Sequence, residues 1–442
     1  MSKATTANTI YSPRYRNYAL AILFLGYVVN FIDRSILSIL LEPIKQELLL
    51  SDTELGLLGG LAFAMFYATL GIPIASLADR WSRTKVLAIS MIIWSAMTAL
   101  CGAANNFLML LLARIGVGVG EAGASPPSHS LISDYFPVEK RATALSIYAL
   151  GIPFGSMIGN FVGGWGAAEL GWRMTFLLVG LPGIFVAGII LTTLREPPRG
   201  MSESAAVKAA AAKNDEPAPA LKEVFKFLWQ RKSFRHLGFA AGLHAFVGYG
   251  AGVWNAPFLI RSHEMPITEV GSWLAIISGI GAIGTFGGGY LGDKLSDWTD
   301  DRRWYLWIAG ISTLVMVPFQ FTAYLYDGIW TVIPALAVVS ILGGMYLGPS
   351  FAMTQALVTL RMRAVASALL LFMLNIIGMG LGPYFVGIAS DLLNPSFEIH
   401  SLRYALCLCV LANLWAAVHY FLGATTLRED LDSTEVLMTQ HG

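Results

Sequence analysis

The chain has 442 residues, 55% of them hydrophobic and only 13% charged, with a mean hydropathy of +0.62. Soluble domains carry about a quarter charged residues, so this composition excludes a soluble globular protein and describes one that crosses a membrane many times. A formal net charge of +1 leaves no basic footprint for nucleic acid, and Cys101, Cys407 and Cys409 sit inside apolar runs whose spacing suits neither a disulfide framework nor a metal.

In chain order, residues 1–17 are polar, with no cleavable signal. Apolar segments then fall near 18–41, 54–78, 85–104, 106–131, 141–167, 173–194, 235–260, 269–292, 304–325, 329–355, 364–390 and 402–424. Each approaches the roughly 20 residues that span a bilayer as a helix. The expectation is an all-α membrane protein with twelve transmembrane helices in two six-helix bundles, 18–194 and 235–424. The polar, Pro/Ala-rich stretch 195–234 reads as a linker with a short amphipathic helix at Leu221–Gln230, and residues 425–442 read as a tail. Lys and Arg concentrate in alternate loops, on the side of Arg80, Arg83, Lys140, Arg141, Lys294, Arg302 and Arg428. By the positive-inside rule both termini, the linker and the tail are cytoplasmic, and the short termini suit a bacterial inner membrane.

Charges inside the apolar segments mark the candidate site, because an ionised group at that depth needs a partner or a wet cavity. The first segment carries Asp33 and Arg34; the fourth carries Arg114 and Glu121, seven residues apart and so on one face. Counting helical rise from each cytoplasmic end places Asp33 at ~22 Å, Arg114 at ~26 Å and Glu121 at ~15 Å. Asp33 is therefore expected to neutralise Arg114 or its own neighbour, with Arg114 a structural charge partner. Glu121 is left as the acid with the least certain counter-charge and the leading proton carrier, beside the alternative of a static pair with Arg34.

Glycine patterns come next. Gly118-Val-Gly120-Glu-Ala-Gly123 matches a dinucleotide-binding fingerprint in letters, yet it lies inside a spanning segment where that motif has no βαβ context. Small residues there let helices approach closely. Gly151, Gly155, Gly159 and Gly163 line one face of the fifth segment, and the plain expectation is packing against a helix of the other half.

The second half has no carboxylate away from its segment ends. Its polar interior candidates are His244, Asn255, Gln355 and Asn375, among Phe246, Tyr249, Trp254, Tyr346 and Phe372. A charged wall facing an apolar, aromatic one suits an amphiphile, with Arg34 for an anionic head. The expected substrate set is Arg34, Asp33, Glu121, Trp254, Tyr346, Asn375 and His244, and the expected proton pair is Glu121 with Asp33. No organic cofactor or metal is called for, and the expected partners are the bilayer and an amphiphilic small molecule or lipid, with the chain a monomer.

Internal repetition supports two related halves. Ala75-Ser-Leu-Ala-Asp79-Arg80 answers Gly289-Tyr-Leu-Gly-Asp293-Lys294, and Ser125-Pro-Pro-Ser128 with Arg141-Ala-Thr-Ala answers Gly348-Pro-Ser350 with Arg363-Ala-Val-Ala. Two halves of six, with SLADRWSRTK between the second and third helices, resemble the major facilitator superfamily, although Ala75 and Ser82 stand where glycine is commoner. NFIDRSILSILLEPIKQEL, LADRWSRTKVL, ARIGVGVGEAGASPPSHSLISDYFP and RATALSIYALGIPFGSMIG together resemble its Spinster-like transporters, a group that includes sphingosine-1-phosphate exporters and lies near organic-anion permeases. The resemblance implies alternating access, not enzymatic activity, with helices 1 and 4 lining the cavity. It also implies that Asp79, Arg80, Arg83 and Asp293 belong to a cytoplasmic gate that holds one conformation until substrate shifts the balance.

Overall fold

The computed structural model describes residues 11–202 and 221–440. Among these the chain is helical, without strands. Twelve helices have spanning length: α1 (Pro13–Leu48), α2 (52–80), α3 (Arg83–Cys101), α4 (Phe107–Tyr135), α5 (138–169) and α6 (Gly171–Thr193), then, after the short α7 (Leu221–Gln230), α8 (Lys232–His263), α9 (Ile267–Thr299), α10 (Trp304–Leu325), α11 (Ile329–Ala356), α12 (363–397) and α13 (Ser401–Gln440). Ten stretches of the described residues are long and apolar enough to cross a membrane, the last of them containing both α12 and α13, and α8 is the remaining rod. The helices overrun the apolar segments read from the sequence. α1 begins at Pro13 rather than Tyr18 and ends at Leu48 rather than Leu41, because polar residues continue a helix beyond the hydrocarbon while hydropathy registers only the part inside it. The first ten residues and the middle of the linker, 203–220, lie outside the described residues.

By internal packing the chain divides into two compact units, residues 1–36 with 65–217 and residues 37–64 with 218–442. In the first, α3 packs along both α4 and α6. Close approach of α4 depends on Gly120, where an added Cβ would stand 2.6 Å from the Trp94 amide nitrogen. α4 breaks after Glu121 and resumes at Ser125, with Pro126 and Pro127 in the new first turn where their missing N–H groups cost nothing. The glycine face of α5 packs on α1 of the same unit: a Cβ at Gly155 would fall 2.5 Å from the Val28 carbonyl oxygen, and one at Gly159 would meet Ile32 and Ser35. This corrects the expectation of a partner in the other half. Spacing identifies the smooth face of a helix but not which neighbour uses it.

In the second unit α8 and α13 pack along their length, α10 lies on α13, and α9 lies on α11. The start of α2 is closed by a capping box: Ser51 Oγ accepts the Glu54 N–H at 3.2 Å, and Glu54 Oε2 accepts the Ser51 N–H at 2.8 Å. Two wide π-helical turns interrupt the rods at Leu57–Leu61 and Leu374–Leu381, and Asn375 lies in the second.

Candidate functional site

The buried charges of the first unit converge. Arg34 Nε donates to Glu121 Oε2 at 2.6 Å, across from α1 to α4; the Glu121 side chain is wholly buried and that of Arg34 is 18% exposed. The guanidinium carbon also sits 4.6 Å from the Tyr67 ring centroid and 5.2 Å from that of Phe31, within cation–π range. Glu121 thus has a direct counter-charge, which corrects the inference that it had the least certain one. Asn30, also buried, lies against the same carboxylate.

Asp33 is the other acid, fully buried. Its neighbours are Glu121, the Thr98 hydroxyl and the Arg114 guanidinium, and Arg114 is itself 3% exposed. Two carboxyls and two guanidiniums share one interior, and a single one of the four, Arg34, has appreciable exposure. Such an arrangement can exchange an ion pair for a proton plus an incoming anion.

The residues singled out in the second half have other occupations. His244 is buried, with Nδ1 2.8 Å from Thr313 Oγ1 and Nε2 3.1 Å from the Gly343 carbonyl, and its ring centroid lies 4.0 Å from that of Tyr346. Because a carbonyl only accepts, Nε2 donates to Gly343, while the Thr313 hydroxyl beside Nδ1 also lies 2.6 Å from the Ala309 carbonyl. Trp254 is fully buried and donates Nε1–H to the Pro383 carbonyl at 2.9 Å. Both belong to the packing of their own unit, where they had been expected on a substrate wall. Tyr346 and Asn375 are half-buried, and Asn255 accepts from Tyr324 at 3.1 Å.

Of the expected gate, Asp79 has a side chain outside the described residues and Arg80 is exposed. Arg83 is 1% exposed and bound from several sides within its own unit. It reaches Asp134 at 2.5 Å, Glu196 at 2.7 Å, Ser130 Oγ at 2.8 Å and the Pro197 carbonyl at 2.7 Å. Glu196 also accepts the Thr84 N–H at 3.0 Å and the Ser82 hydroxyl at 2.9 Å. Burial alone would raise the Glu196 carboxyl, but the Thr84 amide and the Arg83 guanidinium outweigh it and hold the acid below its ordinary range. In the second unit Asp293 accepts the Tyr305 hydroxyl at 2.5 Å.

A second ionic cluster escaped the sequence reading. Arg261, near the end of α8, donates to Glu42 at 2.7 Å and grips Asp52 through two bonds of 2.7 and 2.9 Å. Lys45 binds Asp52 at 2.5 Å, Ser390 donates to Asp52 at 2.6 Å, and Asp391 accepts the N–H groups of Asp52 and Thr53 at 3.0 and 2.7 Å. Four helices, α1, α2, α8 and α12, meet there. Two of its members, Lys45 and Arg261, are among the few basic residues that the sequence places opposite the termini, with Arg173 and Arg403.

Residues 23–424 match the family model described as Major Facilitator Superfamily. The chain is 33% identical over 423 residues, 95% of each chain, to an MFS-type efflux pump of Mycolicibacterium smegmatis (strain ATCC 700084 / mc(2)155). It is 27% identical over 272 residues to the hexuronate transporter of Bacillus subtilis (strain 168), covering 61% of this chain and 63% of that one. Its fold matches, with a TM-score of 0.85 and 33% identity over 95% of this chain and 99% of the other, the crystal structure of a bacterial homolog to the human lysosomal transporter Spinster, in an inward-facing and unoccupied conformation.

Proposed function

Because this chain belongs to the major facilitator superfamily, a family of secondary transporters and not of enzymes, and is Spinster-like within it, we propose that it moves an amphiphilic anion across the bacterial inner membrane in exchange for the Arg34–Glu121 ion pair, driven by protons. The observation that carries this reading is that pair. Arg34 is the exposed member of the buried charge set, flanked by Phe31 and Tyr67, and its guanidinium is held by a carboxylate that a proton can release. Protonating Glu121 frees Arg34 to take an anionic head group, and an anion on Arg34 favours the protonated acid. Proton and anion therefore bind together. Asp33 shares the interior and is the second proton site. Arg114 keeps the net charge of the cluster near neutral in the empty protein, and Tyr346 and Asn375 remain the substrate contacts proposed from the second half.

An amphiphile such as a lysolipid or sphingoid phosphate is favoured by the apolar, aromatic composition of the second half. A small polar organic anion is the second reading, favoured by the similarity to a hexuronate transporter. A thermal-shift screen of purified protein against lysolipids, sphingoid phosphates and small organic acids separates them, since a ligand of the folded state raises its apparent stability by mass action. The proposal requires that the stabilising ligand be anionic and lose its effect in Arg34→Ala. Stabilisation that persists in Arg34→Ala removes Arg34 from the site.

A further inference from the structure

Helix α7 sorts its residues by angle. At about 100° per residue, Val224 and Leu228 share one stripe, and both are fully buried in a core that includes Phe234, Leu357, Leu427 and Leu431. Next around the circumference come Leu221, Phe225 and Trp229, which are 48, 43 and 38% exposed. Lys222 and Lys226, both exposed, border that stripe, and Glu223 and Gln230 occupy the side beyond them. The helix therefore has a face for the bundle, a face for something apolar, and a face for water, in that order.

The apolar face does not end with α7. Phe225 stacks on Trp229 at 5.4 Å, Trp229 meets Phe239 of α8 edge-on at 6.1 Å, Phe239 lies 5.8 Å from His419 of α13, and His419 lies 5.9 Å from Trp415. Phe239 and Trp415 are exposed. Within the strip, His236 and His419 face each other with Nδ1 atoms 2.8 Å apart, so one ring donates and the other accepts. Tryptophans that flank a spanning helix, as Trp229 flanks α8, are enriched at the interface between hydrocarbon and head groups. Charge identifies which head groups. From Leu221 to Arg235 the chain carries Lys222, Lys226, Arg231, Lys232 and Arg235 against the single acid Glu223. Arg231 is engaged by the Ser433 hydroxyl and the Phe227 ring, whereas Lys222, Lys226 and Lys232 are exposed.

We propose that α7 and the adjoining ends of α8 and α13 form a docking site for anionic phospholipid of the leaflet that faces the termini. Acyl chains lie on Phe225, Trp229, Phe239 and Trp415, and Lys222, Lys226 and Lys232 hold the lipid phosphates. Free phosphate would leave the aromatic strip without a role, and a zwitterionic lipid would leave the lysines without one. This assignment is independent of the transport reading, because none of these residues belongs to the Arg34 cluster.

The test uses full-length protein in neutral detergent, stripped of lipid and titrated with phosphatidylglycerol or phosphatidylcholine bearing brominated acyl chains, with tryptophan fluorescence as readout. Brominated phosphatidylglycerol is expected to quench at roughly tenfold lower concentration than phosphatidylcholine, and Lys222→Ala/Lys226→Ala/Lys232→Ala to reduce that preference to about twofold or less. Trp229→Phe/Trp415→Phe should remove most of the quenching while leaving the melting temperature in detergent unchanged. Equal quenching by the two lipids, a preference that survives the triple substitution, or displacement of the lipid by soluble glycerol phosphate would each overturn the assignment.

Discussion

Asp33 and Arg34 are adjacent, yet they meet different surroundings, because consecutive residues on a helix diverge by about 100°. Arg34 reaches Glu121, Phe31 and Tyr67, while Asp33 is enclosed with Thr98 and Arg114; Glu121 is a neighbour of both. Counting helical rise along two segments predicts Asp33 and Arg114 at similar depth. It failed for Glu121, since rise gives height along the axis but not the reach of a long arginine side chain that spans the difference. Tyr67 was invisible for a different reason: one tyrosine among 16 in an apolar chain carries no signal until its ring is seen over a guanidinium. The expected outcome at this scale is that Arg34→Ala abolishes transport and Arg34→Lys restores at most about a tenth of the wild-type rate, because an ammonium cannot supply the planar set of donors that serves an acid and an anion in turn. Initial uptake rates in proteoliposomes check both. Full activity of the lysine variant would mean that only the charge of Arg34 matters.

At the scale of elements, the sequence pattern located rods and misjudged neighbours. Twelve apolar segments became twelve long helices, but the glycines of α5 lie against α1, and the π-helical turns of α2 and α12 have no signature in a hydropathy trace. Ion clusters at helix ends were missed because their members are far apart in sequence, as with Asp52, Arg261 and Asp391. Removing Arg261 leaves the buried Glu42 and Asp52 with Lys45 as the remaining cation of the cluster, so Arg261→Ala should destabilise the protein by about 3–5 kcal/mol. Thermal unfolding in detergent measures it, and cysteines placed beside Ser51 should become more reactive to soluble reagents. At Asp301, between α9 and α10, hydrogen bonds from Arg303 lower the carboxyl to about 2, with Arg428 also contributing. A folded-state pKa below the unfolded one stabilises above the unfolded value and ceases to do so as pH falls through the folded value. Asp301→Asn should therefore flatten part of the stability loss between about pH 4 and pH 2, read as melting temperature against pH. An unchanged acid limb would show that the Asp301 carboxyl titrates alike in the folded and unfolded chain, so that its pairs contribute no pH-dependent stability.

For the whole molecule, the question is whether the Arg34–Glu121 exchange does work against a gradient. Linkage is reciprocal: if a proton on Glu121 raises affinity for an anion at Arg34, the anion raises affinity for the proton by the same factor. In sealed proteoliposomes an imposed proton gradient should then drive accumulation of the anionic substrate above its external concentration, and collapse of the gradient should reduce transport to equilibration. A scramblase or a simple facilitator would ignore the gradient. Glu121→Gln isolates the coupling step, because an amide keeps the shape of the protonated acid and cannot hold Arg34 as an ion pair. The variant is expected to bind substrate at least as tightly as the wild type at neutral pH, with an affinity that no longer changes between acid and alkaline conditions, and to equilibrate substrate without accumulating it. Accumulation by Glu121→Gln under the same gradient would move the coupling proton to Asp33, the other buried acid of the cluster, and leave Glu121 as a structural partner of Arg34. In that case Asp33→Asn, not Glu121→Gln, would be the variant that separates binding from uphill transport.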